Sequence, residues 1–121
     1  MNAPVFAAVD DIFFVSKIRA TAERLGVRVE FARNRDALEK LLGGERPRLV
    51  IIDLHAQRFD PLAAAEQVKR DERTRDVPLV GFFSHVQTEL QRRAVESGID
   101  HVMPRSAFTK RLPDILRGQL L

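Results

Sequence analysis

The sequence predicts one α/β domain, a doubly wound five-stranded parallel sheet with helices on both faces. Two apolar runs carry that inference: Val5-Phe6-Ala7-Ala8-Val9 ends in Asp10-Asp11, and Leu49-Val50-Ile51-Ile52 ends in Asp53. Short apolar runs bounded by charge fit strands buried on both faces, as parallel sheets require. The third observation is a regular alternation of such runs with helical stretches through all 121 residues. Each strand is then joined to the next by a right-handed helical crossover. A single core spanning residues 1–121 is expected at this length.

The elements follow in order. Residues 5–9 form the first strand. Over residues 12–25, Ile12, Val15, Ile18, Ala22 and Leu25 recur at helical intervals, and Gly26 stops the helix. Residues 27–31 read as a short second strand. Asn34 caps a helix carrying Ala37, Leu38, Leu41 and Leu42, closed by Gly43-Gly44. Residues 49–53 are the third strand. Asp60-Pro61 marks the next helix start, a carboxylate at N-cap and a proline at the first helical position, with Leu62, Ala65 and Val68 inward. A fourth strand covers 77–83, with Pro78 where a missing N–H is tolerated. A helix over 89–97 turns Leu90, Ala94 and Val95 inward and stops at Gly98. A fifth strand covers 101–103. Leu112, Ile115, Leu116 and Leu120 stripe a last helix, which Pro113 restricts to starting close to itself.

Composition narrows the function. There are no cysteines, so disulfides and thiolate metal sites are excluded. No stretch approaches the length of a membrane span and no signal peptide is evident, so a cytoplasmic protein without membrane contact is expected. The net charge is +3, but bases and acids interleave, as in the run Lys69-Arg70-Asp71-Glu72-Arg73-Thr74-Arg75-Asp76. That run reads as a solvated helix end and loop. Without Trp or Tyr for base stacking, direct nucleic-acid binding is not expected.

In an open parallel sheet the carboxyl ends of the strands border the ligand crevice. Asp10, Asp11 and Asp53 therefore meet at one edge, joined by Ser84 and His85 after the fourth strand and Arg105 after the fifth. Clustered carboxylates with hydroxyl and cationic neighbours suit a hard divalent ion and phosphoryl chemistry at an aspartate. Singly, each Asp also serves as a cap for the loop or helix that follows it.

Over roughly residues 4–118 the chain resembles the receiver domains of bacterial two-component response regulators. Val9-Asp10-Asp11 is similar to the acidic pair that holds magnesium there, and Ile51-Ile52-Asp53-Leu54 to the strand ending in the phosphoacceptor aspartate. Phe59-Asp60-Pro61-Leu62 stands where the family has Met-Asp-Gly-Leu, and Ser97-Gly98-Ile99-Asp100 resembles its Ala-Gly-Ala-Asp. The resemblance implies a flavodoxin-like receiver fold, a phosphoacceptor at Asp53, and Mg2+ held by Asp10, Asp11 and Asp53. It implies no enzyme beyond self-catalysed phosphotransfer to Asp53. The implied partners are a sensor histidine kinase or phosphotransfer protein and a downstream protein, with a homodimer as a further option.

Several positions depart from the family pattern. Arg105 stands in the lysine position and Ser106 replaces the proline after it, with Pro104 too early to substitute. Arginine keeps the charge but presents a wide planar fork in place of a compact ammonium. A gapless register puts Phe83 in the switch Ser/Thr position, and only a local bulge brings Ser84 there. Val102 takes the aromatic switch position, and Gln57 that of a proline. His55 falls either at the pocket rim or in an exposed loop, His85 either over the pocket or at a helix cap, and His101 on the surface of a strand. Their spacing supports no zinc site.

Three readings follow. The first is a stand-alone receiver phosphorylated at Asp53 that signals by altered partner binding through a surface including Arg92, Arg93, Lys110 and Arg111. The second is a degenerate receiver that works as a phosphorylation-independent interaction module. The third, a flavodoxin-like small-molecule binder or hydrolase, lacks a phosphate loop in Asp10-Asp11-Ile12-Phe13-Phe14 and has no serine-centred nucleophile elbow.

Overall fold

The computed structural model describes residues 3–84 and 87–120. Five strands alternate with five helices: β1 Val5–Ala8, α1 Ile12–Leu25, β2 Val29–Ala32, α2 Arg35–Leu42, β3 Leu49–Asp53, α3 Pro61–Arg70, β4 Leu79–Phe83, α4 Thr88–Glu96, β5 His101–Pro104 and α5 Arg105–Leu116. All strand pairs are parallel and the sheet order is β2-β1-β3-β4-β5. The predicted doubly wound fold is therefore the observed one, with strand ends adjusted at β1, β2, β4 and β5.

Every residue of β1, β3 and β4 is buried, as strands covered on both faces require. Alternate side chains feed two cores. On one face Ala7, Ile51, Val80 and Phe82 pack with Phe14, Val15 and Ile18 of α1 and with Phe108, Leu112 and Ile115 of α5. On the other, Phe6, Ile52, Leu79 and Phe83 pack with Leu38 of α2, Ala65 and Val68 of α3 and Ala94 of α4.

The helix boundaries follow capping chemistry. Asp11 Oδ1 accepts from Phe13 and Phe14 N–H to start α1, Asn34 Oδ1 from Ala37 N–H to start α2, and Asp60 Oδ1 from Leu62 and Ala63 N–H to start α3. Gly26 ends α1 with φ 70°, its N–H reaching back to Ala22 and Glu23.

Four expectations are corrected. Ile12 is 57% exposed, and Phe14 takes the place assigned to it in the α1 stripe. At 3.6 residues per turn Ile12 lies roughly 120° around the helix from buried Ile18. Val95 is 62% exposed for the same reason, since it lies roughly 100° from buried Ala94. Pro113 sits well inside α5 rather than near its start. Phe108, Leu112, Ile115 and Leu116 form one continuous buried stripe, and that burial outweighs the backbone hydrogen bond a proline cannot make. The charged run 69–76 is a set of tethers as well as a solvated loop. Lys69 Nζ donates to Arg75 O, Val77 O and Asp100 Oδ2. Arg73 reaches the carbonyls of Leu42 and Gly44, and buried Thr74 donates its hydroxyl to Val68 O.

Gly98 shows how tightly this corner is built. Its φ is +99°, and a Cβ there would lie 2.9 Å from Lys69 Cγ. The three hydrogen bonds of Lys69 fix that side chain, so it has little room to give way. Gly98→Ala is expected to cost about 1–3 kcal/mol, read as a lower urea midpoint; an unchanged midpoint would contradict both the backbone strain and the crowding against Lys69.

Candidate functional site

The winding reverses between β1 and β3, and the carboxyl ends of these two strands frame a crevice there. A pocket of about 450 Å³ opens at this edge, lined by Asp10, Asp11, Asp53, His55, Gln57, Arg58, Ser84 and Arg105. A larger groove, about 570 Å³ between α2 and α3, contains none of Asp10, Asp11 and Asp53.

Asp53 is the last residue of β3 and only 5% exposed. Its Oδ1 accepts from His55 N–H at 2.9 Å. Burial pushes its pKa above the ordinary carboxylate value; the His55 N–H bond opposes that, the nearby Asp10 charge adds to it, and Arg105 and His55 offset part. Asp10 Oδ2 accepts from Gln57 and Arg58 N–H at 2.7 and 3.0 Å, which ties the loop after β3 to the end of β1.

Asp11 serves two masters. Oδ1 caps α1, while Oδ2 pairs with Arg105 Nη2 at 3.2 Å. Desolvation works against its charge, but the Phe14 and Phe13 N–H bonds and Arg105 outweigh it and lower its pKa. Arg105, the first residue of α5, also lies over the Phe14 ring, with Cζ 4.2 Å from the centroid.

The predicted residues thus come together at one edge, with two adjustments. Ser84, not Phe83, lines the pocket. Asp53 is aligned with Phe82 in the β3–β4 register, so alternation sends Phe83 to the opposite face, into the core with Leu54 and Ile99. The gapless count located the strand position without the direction of its side chain. His55 lies at the pocket and is half-buried, which matches its rim alternative rather than an exposed loop. His85 lies outside the described residues. Val102 is half-buried and packs against the core that holds Phe83. Sequence reasoning missed Phe14, for which an aromatic beside the Asp11 cap was the available signal, and Arg58, which lines the pocket and donates its N–H to Asp10.

Asp10, Asp11 and Asp53 share the pocket, yet among the described residues no three His, Cys, Asp or Glu side chains gather closely enough to hold a metal ion. Arg105 and backbone N–H groups engage oxygens of all three carboxylates. The donor chemistry itself suits a hard divalent cation: the cluster offers carboxylate oxygens, and Asp10 raises the pKa of Asp53 by like-charge repulsion that a cation would relieve.

Order, register and the acidic crevice together define a receiver fold, the fold of response-regulator receiver domains. The chemotaxis response regulator CheY4 of Vibrio cholerae matches with a TM-score of 0.83 at 20% identity, covering 99% of this chain and 100% of that one. The signal receiver domain of a DNA-binding response regulator from Colwellia psychrerythraea matches at 0.80 and 16%, covering 95% and 98%. The phosphorylated cyanobacterial phytochrome response regulator RcpA matches at 0.80 and 16%, covering 98% and 91%. No protein-family model and no curated protein sequence matches the chain. Among the described residues, no helix is long and apolar enough to cross a membrane.

The raised pKa of Asp53 makes a stability prediction. The folded state holds the Asp53 proton more tightly than the unfolded chain does. Its ionisation therefore begins to cost stability as pH rises past the unfolded value of about 3.9, and the cost is complete above the raised folded value. Asp53→Asn, which keeps an acceptor for His55 N–H, is expected to raise the denaturation midpoint at neutral pH, with a smaller gain near pH 4. An equal gain at both pH values would contradict this.

Proposed function

We propose that this domain is a receiver module of two-component signalling that accepts a phosphoryl group on Asp53 and passes the signal on through protein–protein contact. The observation that carries the reading is the buried Asp53 carboxylate at the end of β3, sharing one pocket with Asp10, Asp11, Ser84 and Arg105. The fold, shared with proteins that include a phosphorylated response regulator, supports it.

One Asp53 oxygen is held by His55 N–H, which leaves the other as nucleophile. That oxygen attacks the phosphorus of a phosphohistidine or a small acyl phosphate. The new P–O bond forms as the bond to the leaving group breaks, and the leaving group departs with its electron pair. Asp10, Asp11 and Asp53 would hold Mg2+, which when bound supplies positive charge against the transferring phosphoryl oxygens. Ser84 and Arg105 line the same pocket and offer a hydroxyl donor and a guanidinium to those oxygens. The proposed donor is a sensor histidine kinase or phosphotransfer protein.

A second reading, a phosphorylation-independent interaction module, draws on the pairing of Arg105 with Asp11 in place of Asp53. The burial of Phe83 in the opposite core, with Ser84 at the pocket, takes away the support that Phe83 in the switch position would have given it. In either case Arg93, Lys110 and the exposed Val95 are available to a partner, while Arg92 is already paired with Glu89 and Glu96.

Incubation with acetyl phosphate and Mg2+ is expected to add the mass of one phosphoryl group to the wild-type chain and none to Asp53→Asn. If the two chains behave alike in intact-mass measurements, the phosphoacceptor reading fails and the interaction module stands.

A further inference from the structure

We propose that Arg105 is a built-in competitor of the divalent cation: its guanidinium and the cation take turns on Asp11. The inference rests on the reading of Asp10, Asp11 and Asp53 as cation ligands and goes beyond it, because it concerns what the cation must displace.

Three observations fix Arg105 in the competing position. Its Nη2 lies 3.2 Å from Asp11 Oδ2, and its Cζ 4.2 Å over the Phe14 ring. Phe14 itself packs against the stacked pair Phe82 and Phe108, at centroid distances of 4.9 and 5.7 Å. The stacking surface is therefore part of the rigid core between α1, β4 and α5, and Arg105 springs from the first residue of α5. The guanidinium is planar, weakly hydrated and suited to stacking, so an aromatic face holds it better than it would hold an ammonium.

Asp11 has no spare oxygen while the pair persists. Oδ1 is committed to two N–H groups of α1, where leaving would undo the helix cap. Oδ2 is the oxygen a cation can take, and it is the one bound to Arg105. The pair is only partly screened, with side-chain exposures of 35% and 37% for Arg105 and Asp11. A divalent ion, with twice the charge and a smaller radius, can displace the guanidinium, but its affinity is lowered by the stability of the pair and the stack. Cation binding then releases Arg105 from Asp11 into the same pocket that holds Asp53.

The test is Mg2+ titration of the full chain by calorimetry, since the chain has no Trp or Tyr to report binding by fluorescence. Arg105→Ala is expected to bind Mg2+ roughly three- to tenfold more tightly than wild type. Arg105→Lys, which loses the stack and the fork, should fall between the two. Arg58→Ala removes another cation from the same pocket while keeping the backbone N–H to Asp10, and should change affinity far less. In wild type, the Arg105 Nε–H resonance should shift on saturation with Mg2+.

Equal Mg2+ affinity in wild type and Arg105→Ala overturns the competition and leaves the cation site standing. So does a gain in Arg58→Ala as large as that in Arg105→Ala, or an Arg105 resonance unmoved by saturating Mg2+. No Mg2+ binding by either wild type or Arg105→Ala removes the cation reading, and the competition with it.

Discussion

Everything at the site depends on the parallel pairing of β1 with β3. Parallel neighbours end at the same edge, so the register that sets Ala8 beside Ile52 also delivers Asp10 and Asp11 to the same crevice as Asp53. Neither strand has freedom to slip, because both are buried on both faces and a one-residue shift would turn every side chain into the wrong core. The acids are held together by hydrophobic burial elsewhere, against their own repulsion.

That repulsion is managed locally. Helix and loop N–H groups point at Asp11, Asp10 and Asp53 in turn, and each spreads part of a negative charge into the backbone. Among the described residues, the positive charge ion-paired with a member of the triad is Arg105, and it goes to Asp11. Asp11 is left with a lowered pKa and Asp53 with a raised one. Two carboxylates in one pocket therefore differ in readiness to hold a proton because the N–H groups of α1 and Arg105 support the charge of Asp11, whereas Asp53 is buried.

The aromatic trio Phe14, Phe82 and Phe108 links this electrostatic arrangement to the core. Phe82 and Phe108 stack at 4.5 Å, and Phe14 leans on both. Because Phe14 also carries the Arg105 guanidinium, movement of α5 against α1 would change the geometry at Asp11. Arginines perform comparable tethering away from the site: Arg48 reaches Leu116 O, and Arg73 ties the end of α2 to the loop before β4. The surplus of arginine over lysine is explained in part by these carbonyl contacts, which a planar fork makes well.

The fold was legible in the sequence because its signals are local. Apolar runs ending in carboxylates, the Asp60-Pro61 start and Gly26 each act within a few residues, and the elements they mark are where they should be. The family resemblance suggested roles for Asp10, Asp11 and Asp53, which no local pattern distinguishes from caps. What failed was direction. Apolar type alone does not give facing, so Ile12 and Val95 are exposed, and position along the chain does not give side-chain direction, so the ring of Phe83 turns into the opposite core. Pro113 read as a boundary because its cost is local, whereas the burial of Phe108 and Leu112 that overcomes it is tertiary. The sequence by itself determined the order of elements and which residues reach the carboxyl edge. Only the tertiary structure decided that Ser84 faces Asp53's pocket and that Arg105 rests on Phe14 against Asp11, since side-chain partners far apart in the chain are chosen by packing and charge in three dimensions.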